Sequence, residues 1–366
     1  MESHGFRDTR KLLRRPARPG TYAPKNLKQL GRVLDPNANI ALPIRVRGAG
    51  SSATDCNESP TGTVVKTTKL DRIVNIDAYN HTVTAEAGVR IGTLVEALAE
   101  HGLELIGNHD QTERTLGGAL ASPCIGPGIG HRASYLSSQV ISMKIVTAAG
   151  KVMQIGEEQK HLLNTFRMSY GMLGIIFEAK LNVRPISTFS ASHRSISTDS
   201  FADVTDRLVD ANVGLKFYVL PHRDRVYLDL RRYQSDPGNA YQTPWKLKDW
   251  GESTVLPHVF KSLNRVVPIP AVRYKLVDSI SAATHGLVNT RFVRNGSNAA
   301  SGRRRRNKSR NLQYSTWCFP AADFSVVIKA YAEFCRDTLQ RSGYRCDLPA
   351  VGFRVSKDPS ALLSPS

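Results

Sequence analysis

The sequence predicts an α+β fold whose two halves differ in character. Short β-branched runs, several of them alternating, outnumber the helical patterns in the first half. Near Pro185 the pattern changes to a hairpin, loop-rich stretches and one long amphipathic helix. A chain of 366 residues can bury two separate cores. We therefore predict a basic tail at residues 1–19, a first domain at residues 20–186, and a second domain with a largely antiparallel sheet at residues 187–366.

The composition is that of an ordinary globular protein, with 41% hydrophobic and 22% charged residues. No apolar run approaches the ~20 residues that span a bilayer, and the basic N-terminus lacks the apolar core of a secretory signal. Five scattered cysteines without a CxxC pair indicate free thiols and argue against a structural zinc site. We therefore expect a cytoplasmic protein without a transmembrane segment or a bound metal.

The formal net charge of +19 is concentrated in two segments. Residues 1–34 carry a net +7, and residues 303–310 (RRRRNKSR) add +6 without any acidic residue. Such segments attract polyanions non-specifically, but neither interleaved aromatic residues nor a known nucleic-acid module accompanies them. We expect no specific nucleic-acid partner, and nucleic-acid binding through residues 303–306 is the less favoured alternative.

In the first half, the spacing of apolar residues predicts helices at residues 24–33, 91–101 and 161–167. β-Branched or alternating runs predict the strands, at residues 44–47, 63–67, 73–76, 81–87, 140–147, 152–155 and 175–183. Residues 107–130 contain six glycines and two prolines and predict a long loop without secondary structure. A loop of this length in a compact domain is usually functional.

In the second half, residues 216–220 and 225–230 predict a β-hairpin. Further strands are predicted at residues 313–319, 344–346 and 351–355. The helix predicted at residues 323–341 has an apolar face made of Phe324, Val327, Tyr331, Phe334 and Leu339.

Three segments of small residues follow one another in the first half: residues 47–52 (RGAGSS), 117–130 and 169–176. A strand that runs into such a turn presents consecutive backbone N–H groups, which suit a phosphate or pyrophosphate. Small residues also let the backbone approach a flat ring closely. Each turn alone is a weak signal because most tight turns bind nothing. Their order and spacing make the signal specific.

With these segments, the sequence resembles the FAD-binding PCMH-type flavoproteins, the vanillyl-alcohol oxidase / p-cresol methylhydroxylase family. The aldonolactone, alditol and decaprenylphosphoryl-ribose oxidases are its most similar branch. The resemblance implies a two-subdomain PCMH-type FAD-binding domain at residues 20–186, followed by an α+β substrate cap domain. In such proteins the first turn holds the FAD pyrophosphate, the second segment lines the flavin and the third packs near the adenosine. The residues so assigned to FAD are Arg47, Gly48, Ala49, Gly50, Ser51, Ser52, Gly117, Gly118, Ala119, Ser122, Pro123, Gly126, Gly171, Gly174, Ile175 and Ile176.

One departure from the family concerns the attachment of the flavin. Many relatives carry a histidine immediately after the second turn glycine that bonds covalently to the flavin, whereas this chain has Ser51. The resemblance therefore implies non-covalent FAD. Cys124 lies in the context ASPCIGPG, which does not match the doubly attached pattern, so we expect an unattached thiol. His109 and His131 flank the flavin segment and could touch the isoalloxazine, but loop histidines more often bond to backbone.

A second departure concerns the cap domain. Relatives continue beyond a strand such as residues 350–356, and that part supplies much of the substrate face. This chain stops at Ser366, so we expect the cap domain to be incomplete, and we assign no catalytic residue. Arg225, Tyr227 and Tyr314 could orient substrate hydroxyls or a phosphate, although simple alternation in a sheet also accounts for them.

The resemblance implies an FAD-dependent oxidoreductase acting on CH–OH groups. A sugar, aldonolactone or polyol-like small molecule would give a hydride from its alcohol carbon to flavin N5, and O2 or another acceptor would reoxidise the flavin. The choice between oxidase and dehydrogenase stays open. The alternative is a flavin-binding but catalytically incomplete protein that needs a partner chain.

Overall fold

The computed structural model describes residues 19–52, 54–106, 112–125, 135–211, 213–220, 222–234, 262–263, 266–286, 291–295, 315–346 and 349–365. Its helices are α1 Leu27–Val33, α2 Ile91–Glu100, α3 Leu116–Ala121, α4 Lys160–Phe166, α5 Thr198–Asp210, α6 Pro270–Gly286 and α7 Phe324–Ser342. Its strands are β1 Gly20–Tyr22, β2 Ile44–Arg47, β3 Thr63–Lys66, β4 Ile73–Asp77, β5 Thr82–Glu86, β6 Leu103–Leu105, β7 Val140–Val146, β8 Val152–Gly156, β9 Ile175–Pro185, β10 Thr188–Ile196, β11 Gly214–Leu220, β12 Arg225–Gln234, β13 Arg291–Asn295 and β14 Ala350–Phe353.

The strands form three sheets. The first is a small parallel sheet of order β1-β3-β2. The second is antiparallel, with the order β4-β5-β9-β7-β8, and β6 pairs with β9 beside it. The third is antiparallel, with the order β13-β10-β12-β11-β14. This mixture of helices and mainly antiparallel sheets confirms the predicted α+β class.

Two apolar clusters form the interior of the first two sheets. α2 and α3 pack on the larger sheet, where their buried leucines lie against β5, β7 and β9. α1 begins at an N-cap, Asn26, whose side chain accepts a hydrogen bond from the Gln29 N–H. Its buried Leu30 packs with Val65 of β3 and with Val146 and Phe177 of the larger sheet. This shared cluster holds the small sheet against the large one.

The third sheet has its own core. Phe201 of α5, Phe217 of β11 and Phe324 at the start of α7 meet with ring centroids 5.1 to 5.8 Å apart. Val226 and Leu228 of β12 join the same cluster. α5 and α7 therefore cover one face of this sheet. Along each strand, every second side chain points to the opposite face.

Gly352 of β14 offers a direct test of this packing. A Cβ atom at Gly352 would lie 1.9 Å from Cζ of Phe217, so Gly352→Ala must displace a core ring. Overpacking of this kind costs about 1–3 kcal/mol, and we expect a lower melting temperature in a thermal unfolding scan. Gly31→Ala in α1 is the matched control, because a Cβ there meets no atom within 4 Å and alanine favours the helix. Equal melting temperatures for Gly352→Ala and the unsubstituted chain would contradict the packing described.

Four sequence predictions need correction. The segment predicted as an unstructured loop contains α3. In α7 the buried residues are Ile328, Ala332 and Cys335, whereas Phe334 is 65% exposed. Residues 315–320 form no strand, although residues 313 and 314 lie outside the described part of the chain. Residues 344–346 also form none, because they follow the left-handed cap at Gly343 without pairing to a described strand.

Several elements of the structure were not predicted from the sequence. The short strands β1 and β6 add to the edges of the first two sheets, β10 and β13 complete the third sheet, and α5 and α6 were not predicted. We retain the boundary at residue 186 as a proposal.

Candidate cofactor site

The first small-residue turn follows β2 directly. Gly50 has φ +67°, a left-handed conformation that favours glycine. The Arg47 side chain lies under this turn, since a Cβ at Gly50 would be 2.8 Å from Arg47 Nε. Arg47 Nη1 is 2.7 Å from Glu58 Oε1, so the cation is already balanced by a carboxylate. Arg47 therefore supports the turn from below, while Ser51 and Ser52 beyond it are exposed.

The second segment places its glycines on a short helix. Thr115 is the N-cap of α3, and its hydroxyl accepts a hydrogen bond from the Gly118 N–H at 3.4 Å. The Gly117 N–H donates to the Ala87 carbonyl at 2.7 Å, and a Cβ at Gly117 would lie 2.8 Å from Ala87 Cβ. Because helix and strand approach so closely, only glycine fits at position 117. Ala119 is buried in the core behind.

The first two segments touch each other. A Cβ at Gly48 would lie 2.1 Å from Oγ1 and 3.2 Å from Cβ of Thr115. The absence of a side chain at Gly48 thus lets the turn after β2 rest against the N-terminus of α3. The first N–H groups of α3 already donate to the carbonyls of Val89 and Ala87 and to Thr115 Oγ1. The helix start therefore supports the turn, and the backbone N–H groups of the turn are the ones that favour an anion.

The C-terminal end of α3 is braced by side chains. Arg114 Nη2 donates to the Gly118 carbonyl at 3.0 Å and to Ser122 Oγ at 2.6 Å. Ser122 Oγ in turn donates to the Gly118 carbonyl at 3.0 Å. Ser122 and Pro123 are half-buried. These bonds satisfy carbonyl groups that the end of a short helix would otherwise leave unpaired.

The third segment is bonded to the end of the second. The Met168 N–H donates to the Leu120 carbonyl at 3.0 Å, and the Tyr170 N–H donates to the Ala121 carbonyl at 2.7 Å. Gly171 continues the turn with φ +75°. Gly174 has φ +152°, and a Cβ there would lie 2.7 Å from the Val146 carbonyl oxygen. The structure therefore places parts of all three predicted segments side by side.

Some of the residues assigned to FAD from the sequence are buried behind this cluster. Ile175 and Ile176 are buried, the first among residues around α1 and the second in the large core, so they position the third turn from behind. Cys124 is also buried in the large core. Gly126, His109 and His131 lie outside the described residues.

The backbone donors of the first turn, at Gly48–Gly50, fit the pyrophosphate of FAD. The first N–H groups of α3 already donate within the protein. Gly117 and Gly118 are half-buried, and a Cβ would lie 2.8 Å from Ala87 Cβ at Gly117 and 3.2 Å from Thr115 Oγ1 at Gly118. Among the described residues, no group of three or more His, Cys, Asp and Glu side chains could hold a metal ion.

A second polar cluster lies on the third sheet, and sequence reasoning missed it. Asp229 of β12 faces His193 of β10 in direct register, with Asp229 Oδ2 3.8 Å from His193 Nε2. Arg231 Nη2 is 2.8 Å from the same oxygen, and all three residues are buried. In the sequence, the alternation of Val226, Leu228 and Leu230 with polar residues indicates a strand with one polar face.

The predicted cap residues are placed as follows. Tyr227 is half-buried on the same face as Asp229, two residues along β12. Arg225 is exposed at the start of β12, beside the hairpin turn. Tyr314 and residues 303–310 lie outside the described residues. None of the helices in the described part of the chain has the length and apolar character that crossing a bilayer requires.

The part of the chain that carries the first two small-residue segments is similar to known proteins. Residues 19–156 match the family described as FAD binding domain. The L-gulono-1,4-lactone dehydrogenase of Mycobacterium tuberculosis (strain ATCC 25618 / H37Rv) is 31% identical over 208 residues, covering 56% of this chain and 46% of the relative. The mitochondrial L-galactono-1,4-lactone dehydrogenase of Arabidopsis thaliana is 28% identical over 210 residues, with 56% and 33% covered. The Bos taurus L-gulonolactone oxidase is 24% identical over 222 residues, with 60% and 49% covered.

Two solved structures are similar in fold to part of this chain. The 6-hydroxy-D-nicotine oxidase of Arthrobacter nicotinovorans superposes with a TM-score of 0.50 at 17% identity, covering 61% of this chain and 51% of that one. A berberine bridge enzyme variant gives a TM-score of 0.50 at 17% identity, covering 59% and 46%. The chain spans at most about half the length of the curated relatives named above. Residues 19–156 match the FAD-binding domain family, and the chain is similar over 208 to 222 residues to gulono- and galactonolactone dehydrogenases and oxidases.

Proposed function

We propose that this chain is an FAD-dependent oxidoreductase that oxidises a CH–OH group of a sugar lactone or a similar polyhydroxylated small molecule. The observation that carries the proposal is the contact between the Gly48 turn and the Thr115 cap of α3, with the third turn bonded to the end of the same helix. The lactone dehydrogenases and oxidases among the homologues support the substrate class.

The residues of this cluster would hold FAD without a covalent bond. The backbone of the turn at Gly48, Ala49 and Gly50, supported by the Thr115 cap of α3, would bind the pyrophosphate. Gly117 and Gly118 would let the flavin ring approach the backbone. Ser51 offers no imidazole for covalent attachment. Bound FAD supplies a two-electron acceptor for the hydride of an alcohol carbon.

The experiment is an anaerobic reduction. The full chain is loaded with FAD and mixed without oxygen with L-gulono-1,4-lactone, L-galactono-1,4-lactone, and a panel of polyols and sugars. We expect at least one lactone to bleach the visible flavin absorbance, and readmitted O2 or an added acceptor to restore it. The rate of recovery with O2 then separates oxidase from dehydrogenase behaviour.

The alternative function is flavin binding without complete catalytic machinery, with a partner chain supplying the rest. It would leave a yellow protein that no lactone, polyol or sugar bleaches. That result would overturn the proposed activity and leave the FAD-binding domain intact. The cytoplasmic localisation stays a prediction.

A further inference from the structure

Two cysteines meet beside the C-terminal half of α7. The Tyr331 hydroxyl is in hydrogen-bond contact with the thiol of Cys335, four residues further along the same helix, and with the thiol of Cys346. Cys335 is buried, Cys346 is half-buried, and both are free thiols. Because one hydroxyl oxygen contacts both sulfur atoms, the two thiols lie next to each other around it.

The end of α7 returns the chain towards Cys335. α7 is capped by Gly343, whose φ of +70° is left-handed and lets the chain reverse its direction. At a rise of 1.5 Å per residue, Gly343 lies about 12 Å beyond Cys335 along the helix axis. Three extended residues span about 10 Å in the opposite direction. Cys346, the third residue after Gly343, therefore reaches the level of Cys335, in agreement with its contact to Tyr331.

Arg345 fixes the position of Cys346. The Arg345 guanidinium forms an ion pair with Asp278 of α6 and donates from Nη1 to the Tyr274 carbonyl at 3.3 Å. Its Cζ atom is 4.6 Å from the centroid of the Tyr274 ring, and its side chain is 4% exposed. Successive side chains of an extended segment point to opposite sides. An Arg345 side chain that is held on α6 therefore directs Cys346 towards α7.

The chain that follows Cys346 ends on the FAD-binding half. After β14, Ser138 Oγ donates to Asp358 Oδ2 at 2.7 Å, and the Leu362 N–H donates to the Asn164 carbonyl at 3.0 Å. This stretch is thus held at its far end by the FAD-binding half. A covalent bond from Cys346 to α7 would hold it at its beginning as well.

The two thiols differ in their access to an oxidant. Burial raises the pKa of the Cys335 thiol, and a hydrogen bond from the Tyr331 hydroxyl opposes that shift. The thiolate is the form that attacks an oxidant, and exposure favours the less buried sulfur atom. Cys346 is therefore the thiol that reacts first, and Cys335 is the neighbour that attacks the oxidised sulfur.

We propose that Cys335 and Cys346 form a modification site, a dithiol that hydrogen peroxide oxidises to a reversible disulfide. In the first step Cys346 Sγ attacks one peroxide oxygen, the O–O bond breaks, and a sulfenic acid and water form. In the second step Cys335 Sγ attacks the sulfur of the sulfenic acid, and a second water leaves as the S–S bond forms. The two thiols lose two hydrogens in total, and one hydrogen peroxide is reduced to two waters. The site depends neither on bound FAD nor on the proposed function.

The test is peptide mapping of the full chain without reductant, after treatment with hydrogen peroxide. Trypsin cuts after lysine and arginine and so places Cys335 and Cys346 on separate peptides, residues 330–336 and 346–354. We expect these two peptides to be recovered as one linked species, two hydrogens lighter than their sum, which a dithiol reductant separates. The oxidised chain should also melt about 4–8 °C above the reduced chain, because the disulfide closes a loop of the unfolded chain.

Cysteine variants show whether the linkage is specific. Cys335→Ser and Cys346→Ser should each abolish both the linked species and the rise in melting temperature. Cys318→Ser, which removes an exposed thiol elsewhere, should keep both.

Three results would overturn the proposal. They are recovery of the two peptides unlinked after Cys318 has been oxidised, linkage of Cys335 or Cys346 to a different cysteine instead, and equal melting temperatures for the oxidised and reduced chains. A chain that forms the linked species but that no lactone, polyol or sugar bleaches would support this inference and overturn only the proposed function.

Discussion

Gly48→Ala is expected to weaken FAD binding about tenfold to a hundredfold, since overpacking costs about 1–3 kcal/mol and 1.4 kcal/mol is a factor of ten. The new methyl group would lie 2.1 Å from Thr115 Oγ1. Thr115 can relieve this collision only by turning its hydroxyl away from the Gly118 N–H, which uncaps α3, or by moving the turn away from the helix. The second response moves the backbone donors proposed for the pyrophosphate, and the first loosens the helix start on which their turn rests.

A double-mutant cycle makes this prediction specific. Thr115→Ala removes Oγ1 and Cγ2, so the combination of Gly48→Ala with Thr115→Ala should bind FAD more tightly than Gly48→Ala alone. Titration of apoprotein with FAD, followed by flavin fluorescence, gives the four dissociation constants. Gly31→Ala serves as the control away from the site. An unchanged dissociation constant in Gly48→Ala would show that FAD does not depend on this contact.

Asp358→Ala is expected to lower the free energy of unfolding by about 1–3 kcal/mol, because it leaves two half-buried hydrogen-bond donors without their acceptor. Asp358 is 3% exposed and accepts hydrogen bonds from Ser138 Oγ at 2.7 Å and from the Ser360 N–H at 2.9 Å. The nearby Arg167 is buried too; burial lowers its pKa, and the charge of Asp358 opposes that shift. Removing Asp358 therefore also removes charge compensation for this guanidinium.

Limited proteolysis and thermal unfolding check the Asp358 prediction. Residues 355–365 should become cleavable at lower protease concentration in Asp358→Ala, and the melting temperature should fall. The control is Asp337→Ala, whose exposed carboxylate lies 3.6 Å from Arg341 on α7 and contributes little. A variant Asp358→Ala that resists protease and melts like the unsubstituted chain would show that this segment does not fasten the third sheet.

Much of the FAD-binding half could be predicted from local patterns. The alternation at residues 81–87 and the spacing in α2 indicate the right element types, because one face of each lies on the core. The order of the three small-residue segments identified the family before any contact was known. Their contacts could not be predicted from the sequence, because the approach of Gly48 to Thr115 depends on how strand and helix pack.

The wrong predictions share a physical cause. Where a segment could adopt more than one local structure, packing against residues distant in the sequence decides which one forms. α3 forms in spite of two glycines because Thr115 caps it and Ala87 holds Gly117. α7 carries two apolar stripes, and α5 with the third sheet selects the one through Ile328 instead of Phe334. Residues 315–320 contain β-favouring side chains but lack a described strand to pair with.

The buried polar cluster on the third sheet illustrates the same limit. His193 and Asp229 are far apart in the sequence, and only the register of β10 on β12 makes them neighbours. Charged residues alternating with Val226 and Leu228 indicate a polar face on one strand. They do not indicate which strand lies beside it, since register is set by pairing along the whole sheet.

The measurement that tests the central claim most directly is the flavin content of the purified chain. We predict a yellow protein that carries one FAD per chain, with all of the flavin released into the supernatant on acid precipitation, because Ser51 replaces the attaching histidine of relatives. Flavin retained in the precipitate would contradict the non-covalent site. Colourless protein obtained in good yield that stays colourless after FAD is added would contradict the FAD site itself.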